Sequence, residues 1–141
     1  MVEKVEVATG VYVLNEKSEL LIVTGPKFPD WVIPGGHVEP GEKMIDCGRR
    51  ELKEETGIES DDLRFLSVNE NTVRKILGKE RHFIYINLCC RVDNPKIVLN
   101  EELSEFSWVP VMEAARDERI NSGIREQVLP ALVDFVYKKL V

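Results

Sequence analysis

The chain has 141 residues, 43% of them hydrophobic and 31% charged, with a net charge of −6 at pH 7. That length fits a single α/β domain spanning residues 1–141, with enough interior to fold without disulfides. The negative balance argues against a general binder of nucleic-acid backbones, and the absence of an 18-residue apolar run or a basic-then-apolar leader predicts neither a membrane span nor a secretory signal.

In chain order, residues 5–14 (VEVATGVYVL) and 20–24 (LLIVT) read as two strands of a hairpin across the turn-forming Asn15-Glu16-Lys17-Ser18. Trp31-Val32-Ile33 predicts a short strand leading into the glycine loop Pro34-Gly35-Gly36, and Pro40-Gly41 closes that loop before a helix over 43–56. Residues 63–68, extendable to Val73, and residues 82–92 read as strands joined around Gly78. Phe106 to Val109 gives a further strand and Val111 to Glu118 a short helix. A last helix opens at Ser122 or Gly123, with Ile124, Val128, Leu132, Phe135 and Val136 at helical spacing and Pro130 as a kink or break. Strands, helix, strands, helix is not the alternation of a doubly wound parallel fold, so a mixed sheet flanked by helices is expected.

Three cysteines, Cys47, Cys89 and Cys90, give an odd number with two adjacent in a strand. They do not make a disulfide framework, and a reducing cytoplasmic setting fits them. With His37 and His82 as the two histidines and no CxxC pair, zinc lacks ligands.

The chemistry concentrates in residues 36–58, GHVEPGEKMIDCGRRELKEETGI. At about 100° per residue, Glu51, Glu54 and Glu55 fall within an arc of about 100°, while Ile45, Gly48, Leu52 and Thr56 take the neighbouring arc. Three like charges so placed repel, and a hard dication such as Mg2+ or Mn2+ is the usual compensation; the alternative is a solvated acidic face. The loop favours the metal, because Gly35 and Gly36 let backbone carbonyls turn toward the carboxylates. Glu42 sits at the helix start, where negative charge is favoured, and Gly57 stands at the left-handed C-cap position.

The same segment resembles the signature of the Nudix hydrolases, of the MutT-like kind. Gly36, Glu42, Arg50, Glu51, Leu52, Glu54, Glu55, Gly57 and Ile58 fill every fixed position of that pattern over 23 residues. The resemblance implies an α/β/α sandwich with a mixed sheet, and hydrolysis of a diphosphate linkage assisted by Mg2+, with Mn2+ as a substitute. The implied metal set is Glu51, Glu54, Glu55 and a carbonyl from Gly35 or Gly36. Glu102 or Glu105, just before the strand containing Trp108, is implied as a further ligand or base. The general base stays open among Glu51, Glu54, Glu55 and a glutamate from outside the helix. Arg50 is expected to pair with Glu42 or with a ligand and orient it.

Around this centre, Trp31 and Phe28 are placed to stack on a base, with core packing the safer reading for Trp31. His82, at a strand start, is a candidate substrate contact, and His37 reads as a polar loop residue. Arg74, Lys75, Lys79 and Arg81 form a basic group at a hairpin tip that could hold a terminal phosphate or stand solvated. The substrate is expected to be a small nucleotide bound by a monomer or homodimer. Position 73 is Val, where ADP-ribose enzymes of the family carry proline, and a tyrosine of the diadenosine-polyphosphate type is missing. By elimination a nucleoside triphosphate pyrophosphohydrolase leads, ahead of an ADP-ribose or dinucleoside polyphosphate pyrophosphatase. A silent binding module would have lost ligands, and an isoprenoid diphosphate isomerase would carry an incomplete motif and a catalytic cysteine.

Overall fold

A computed structural model describes residues 1–76 and 78–138. It contains β1 (Val5–Leu14), β2 (Glu19–Thr24), β3 (Gly35–His37), α1 (Met44–Thr56), β4 (Arg64–Ile76), β5 (Lys79–Arg91), β6 (Glu105–Pro110), α2 (Val111–Ala114), α3 (Ser122–Gln127) and α4 (Leu129–Lys138). The sheet runs β4-β5-β1-β2-β6 with β3 attached to β1. β1 and β5 are parallel from Val5↔His82 to Leu14↔Arg91, while β4–β5 and β2–β6 are antiparallel, so the sheet is mixed as expected.

Both faces of the sheet are covered. Val11 and Val13 of β1 and Leu21 and Val23 of β2 join Leu52, Ile58, Leu63 and Leu88 in one core on the α1 side. The alternate residues Tyr12, Leu14, Leu20 and Ile22 join Val111, Ala114, Leu129, Leu132 and Val136 in a second core under α2 and α4. Burial on both sides is why these strands read as continuous apolar runs. The result is the α/β/α sandwich.

The expected hairpin forms, but its strands meet only at Leu14↔Leu20. Asn15 Oδ1 accepts from the backbone N–H groups of Lys17 and Glu19, each at 3.0 Å, closing the turn. β2 then leaves β1 to pair with β6, and the vacated edge of β1 is taken by β3, in register Ala8↔His37, Thr9↔Gly36 and Gly10↔Gly35.

Three expectations about elements are corrected. Residues 31–33 form no strand: Val32 makes a single bridge to Val23 and Trp31 one to Ile120, and the regular pairing begins two residues later in the glycine loop. The helix after β6 stops at Ala114 rather than 118. The final helix is two, α3 and α4, broken at Val128, whose φ of −118° is outside the helical range. Pro130 is the second residue of α4, where its missing N–H costs no helical hydrogen bond.

Candidate active site

α1 packs on the sheet through Cys47, Gly48, Leu52 and Thr56, all buried. Its C-terminus is set by Gly57, with φ of 75° and an N–H donating to Lys53 O at 2.9 Å. The flank beside the buried stripe carries the glutamates and faces β3. Glu55 is the innermost, 7% exposed, and its Oε2 accepts from Gly35 N–H at 3.2 Å. Glu51 lies against Gly36 so closely that a methyl group there would be 2.4 Å from the Glu51 carboxyl carbon. Glu54 is outermost, its side chain 55% exposed.

The environment of Glu55 works against its charge. Burial pushes its carboxyl up to about 8; the Gly35 N–H pulls the other way, and the charges of Glu51, Glu102 and Glu54 raise it further. Burial also raises Glu51 above the usual carboxylate range. The charge of Glu102 thus reaches Glu51 and Glu55, although Glu102 lies far outside α1 in sequence. Its loop is anchored by Asn100 N–H to Glu55 O at 3.1 Å and Ser104 N–H to Thr24 O at 2.9 Å. Glu105, the other candidate, begins β6 opposite Thr24 and is exposed.

Arg50 gathers the carboxylates. Its Nε and Nη2 donate to both oxygens of Glu42 at 2.8 and 2.9 Å, Nη1 donates to Glu51 Oε1 at 2.8 Å and reaches Glu54 Oε2 at 3.5 Å, and Nη2 also donates to His37 O at 3.2 Å. The fork geometry of guanidinium suits this bidentate hold. It keeps the Glu42 carboxyl down at about 2. The sequence expectation that Arg50 orients acidic neighbours matches this geometry.

Strand pairing separates the two glycine carbonyls. Val11 N–H donates to Pro34 O at 2.8 Å and Val38 N–H to Val7 O at 3.0 Å, so by the alternation of an antiparallel ladder Thr9 and Gly36 form the hydrogen-bonded pair between them. Gly36 O also lies 3.4 Å from Thr9 Oγ1 and 3.7 Å from Cys47 Sγ. It is engaged toward β1. The polar groups of Gly35 face away from β1, where its N–H meets Glu55.

Among the described residues, no three His, Cys, Asp or Glu side chains already converge as a closed metal cage. Arg50 Nη1 instead serves as the counterion shared by Glu51 and Glu54. The donor set nevertheless fits a hard dication: the donors are oxygens, and Glu51, Glu54, Glu55 and Glu102 bring more negative charge than one guanidinium balances.

The remaining candidates are spread over the sheet. Trp31 is half-buried against the α4-side core, donates its N–H to Arg119 O at 2.9 Å, and has the Arg119 guanidinium 5.4 Å above its ring. Phe28 is 39% exposed in the same loop. Arg81 is already paired: Nε donates to Glu6 Oε2 at 2.8 Å, Nη2 donates to Glu6 Oε1, and its guanidinium sits 4.9 Å over Phe83. His37 Nε2 is 2.9 Å from the same Glu6 oxygen. These partners hold the Glu6 carboxyl down at about 2. His82 Nε2 lies 3.2 Å from Glu70 Oε2. Arg74 donates to the Tyr85 hydroxyl, and Lys75 and Lys79 line an open groove with Met1, Lys4 and Glu80.

Sequence reasoning did not single out Glu6 or Thr9, which contact Arg81 and Gly36, or Phe83, Tyr85 and Asn87. The last three alternate along one face of β5, and that period-2 pattern was the available signal.

A NUDIX domain family model matches residues 4–132. A nucleoside triphosphatase, NudI, of Escherichia fergusonii is 35% identical over 101 residues, covering 63% of this chain and 68% of that protein. An mRNA-decapping enzyme subunit 2 of Saccharomyces cerevisiae is 32% identical over 100 residues, 70% of this chain; the match spans 10% of that much longer protein. Among solved structures, a MutT protein from Methanosarcina mazei Go1 superposes with a TM-score of 0.76 at 22% identity, covering 99% of this chain and 98% of that one.

Proposed function

The chain belongs to the Nudix family of phosphorus-anhydride hydrolases, and from that premise we propose that it is a Mg2+-dependent nucleoside triphosphate pyrophosphohydrolase of the MutT type. The observation that carries the proposal is the placing of Glu51 and Glu55 against the glycines of β3, with Glu54 on the same flank of α1, Glu102 near enough for its charge to act on Glu51 and Glu55, and Arg50 bonded to Glu51. The similarity to a nucleoside triphosphatase supports the substrate class.

In this reading Glu51, Glu54, Glu55 and Glu102 hold the cation, and the backbone donor is the carbonyl of Gly35, since that of Gly36 is engaged toward β1. When bound, Mg2+ neutralises phosphate charge and makes water easier to deprotonate. Arg50 keeps Glu51 and Glu54 oriented toward the site while fixing Glu42 at the helix entrance. The proton of the attacking water passes to a carboxylate of this set, Glu51 or Glu54. Nothing in this division of labour calls on Cys47, whose thiol is buried and raised by that burial.

The test is a panel of nucleoside triphosphates, ADP-ribose and diadenosine polyphosphates with Mg2+ or Mn2+, scored by product. We expect a nucleoside monophosphate and pyrophosphate from at least one triphosphate, complete loss with EDTA, and recovery on adding Mg2+. Glu54→Gln should retain the fold and lower turnover by about two orders of magnitude or more. Faster cleavage of ADP-ribose or a dinucleotide than of any triphosphate would overturn the substrate class. Full turnover by Glu54→Gln would overturn the metal site.

A further inference from the structure

Asn87 stands out among the buried polar residues. It is 2% exposed, in the middle of β5. Its Nδ2 donates to Ser67 Oγ at 3.2 Å and to Asn69 Oδ1 at 2.8 Å on the neighbouring strand. Asn69 Nδ2 in turn donates to Gln127 Oε1 at 3.0 Å, at the end of α3. The three amides form a relay from an exposed helix end, through β4, to the interior of the sheet. The relay aims Asn87 Nδ2 at β4, so Oδ1 points the opposite way, toward β1.

There Oδ1 finds no donor among the described residues. Every fully buried side-chain polar atom among them has a partner, so the sliver of Asn87 that solvent still reaches is this oxygen. An acceptor that no protein donor takes, at the one point where so buried a residue meets solvent, is open to a ligand N–H that replaces that solvent. Gly10 lies beside it: a methyl group there would be 3.5 Å from Asn87 Oδ1 and 2.6 Å from Ile33 Cδ1.

The position of this oxygen relative to the carboxylates follows from register. Asn87 is opposite Gly10 on β1, and Gly10 is opposite Gly35 on β3. Directly paired residues share a face, and two strand spacings put the Asn87 backbone about 10 Å from Gly35. That is the scale separating the base from the inner phosphates of a nucleotide. Between them the β1 residues on this face, Ala8 and Gly10, are small, and Tyr85, stacked on Phe83 with ring centroids 5.3 Å apart, stands next to Asn87 along β5. Ile33 covers Gly10, so what a ligand edge meets at this point is the Ile33 side chain, the Tyr85 ring and one fixed acceptor, Asn87 Oδ1.

We propose that Asn87 is a specificity-determining residue: its Oδ1 accepts a hydrogen bond from an N–H edge of the substrate's base, with the Asn69–Gln127 relay holding the amide in that orientation. The assignment rests on the nucleotide reading of the adjoining site. A buried acceptor that a donor must complete discriminates strongly against ligands lacking one.

The test measures equilibrium binding, with Ca2+ replacing Mg2+ to suppress turnover, for ATP, GTP, CTP, UTP and inorganic tripolyphosphate. We expect the wild type to prefer at least one nucleotide over the others by tenfold or more. Asn87→Leu should flatten that preference while leaving tripolyphosphate binding within twofold. Gln127→Met, at an exposed position away from the carboxylates, should reduce the preference several-fold without lowering Tm, and it keeps the test open if Asn87→Leu fails to fold. A preference that survives in both variants overturns the proposal, as does equal loss of nucleotide and tripolyphosphate binding in Asn87→Leu. A wild type that binds nucleotide with an Asn87-dependent preference but hydrolyses none in Mg2+ would overturn the catalytic reading and leave the base contact standing.

Discussion

Glu55 is a carboxylate whose ionised form is opposed by burial and by neighbouring like charges. Burial, with the charges of Glu51, Glu102 and Glu54 beside it, pushes its native carboxyl up to about 8. Between the ordinary carboxylate range and pH 8 the folded protein therefore keeps a proton that the unfolded chain has released, and stability falls as pH rises. Glu6 and Glu42, both held near 2, act with the opposite sign: their contribution is present above the usual carboxylate value and lost as pH falls through 2. They are silent between pH 5 and 8. In the metal-free protein we expect stability to decline by a few kcal/mol from pH 5 to pH 8. Glu55→Gln, whose amide oxygen can still accept from Gly35, should flatten that decline in urea titrations at the two pH values. That Glu55 shares a flank of α1 with Glu51 and Glu54 was legible from the charge spacing. Its depth was not, because it depends on how closely β3 approaches the helix.

At the scale of elements, the short strand β3 has two glycines with different tasks. A methyl group on Gly35 would fall 2.0 Å from Thr9 O, a backbone atom fixed by pairing, whereas on Gly36 it would meet the end of the Glu51 side chain. Gly35→Ala should therefore cost about 2 kcal/mol or more of stability through disruption of the β1–β3 register. Gly36→Ala should cost little stability and instead displace Glu51, weakening Mn2+ binding and turnover at least tenfold. Chemical denaturation with and without Mn2+ separates the two outcomes. The sequence announced α1 clearly, since its cap, apolar stripe and charged flank are all local. It misplaced the neighbouring strand by predicting pairing at Trp31 to Ile33, where apolar residues favour it. β2 is committed to β6, so that segment obtains only single bridges to Val23 and Ile120. The same non-local competition explains Arg81, which reads as a free phosphate-binding cation until the parallel pairing of β1 with β5 sets Glu6 beside it.

Across the whole molecule, one sheet separates two cores, and only one of them supports the carboxylates. Leu52 lies in the α1-side core and Leu132 in the α4-side core, both 0% exposed. Each truncation to Ala should cost about 2–5 kcal/mol, and because the sheet stands between them the double mutant should be additive within about 0.5 kcal/mol. The functional consequences should differ. Leu52→Ala loosens the helix carrying Glu51, Glu54 and Glu55 and should weaken Mn2+ binding in conditions where the protein remains folded, while Leu132→Ala should not. Equal effects on Mn2+ binding would mean that the two layers are not mechanically separate.

The sequence by itself determined the family and the mixed α/β class, and it placed Glu51, Glu54, Glu55 and Arg50 on one helix. The reason is that 23 contiguous residues fix helix phase, and helix phase alone brings those side chains to one flank. The tertiary structure decided which distant groups meet them. It tied the loop carrying Glu102 to the ends of α1 and β2, distinguished Gly35 from Gly36 by ladder alternation, and aligned Asn87 with the glycine loop across three strands. Those relations depend on strand register and partner choice, which are properties of the assembled sheet rather than of any local stretch of chain.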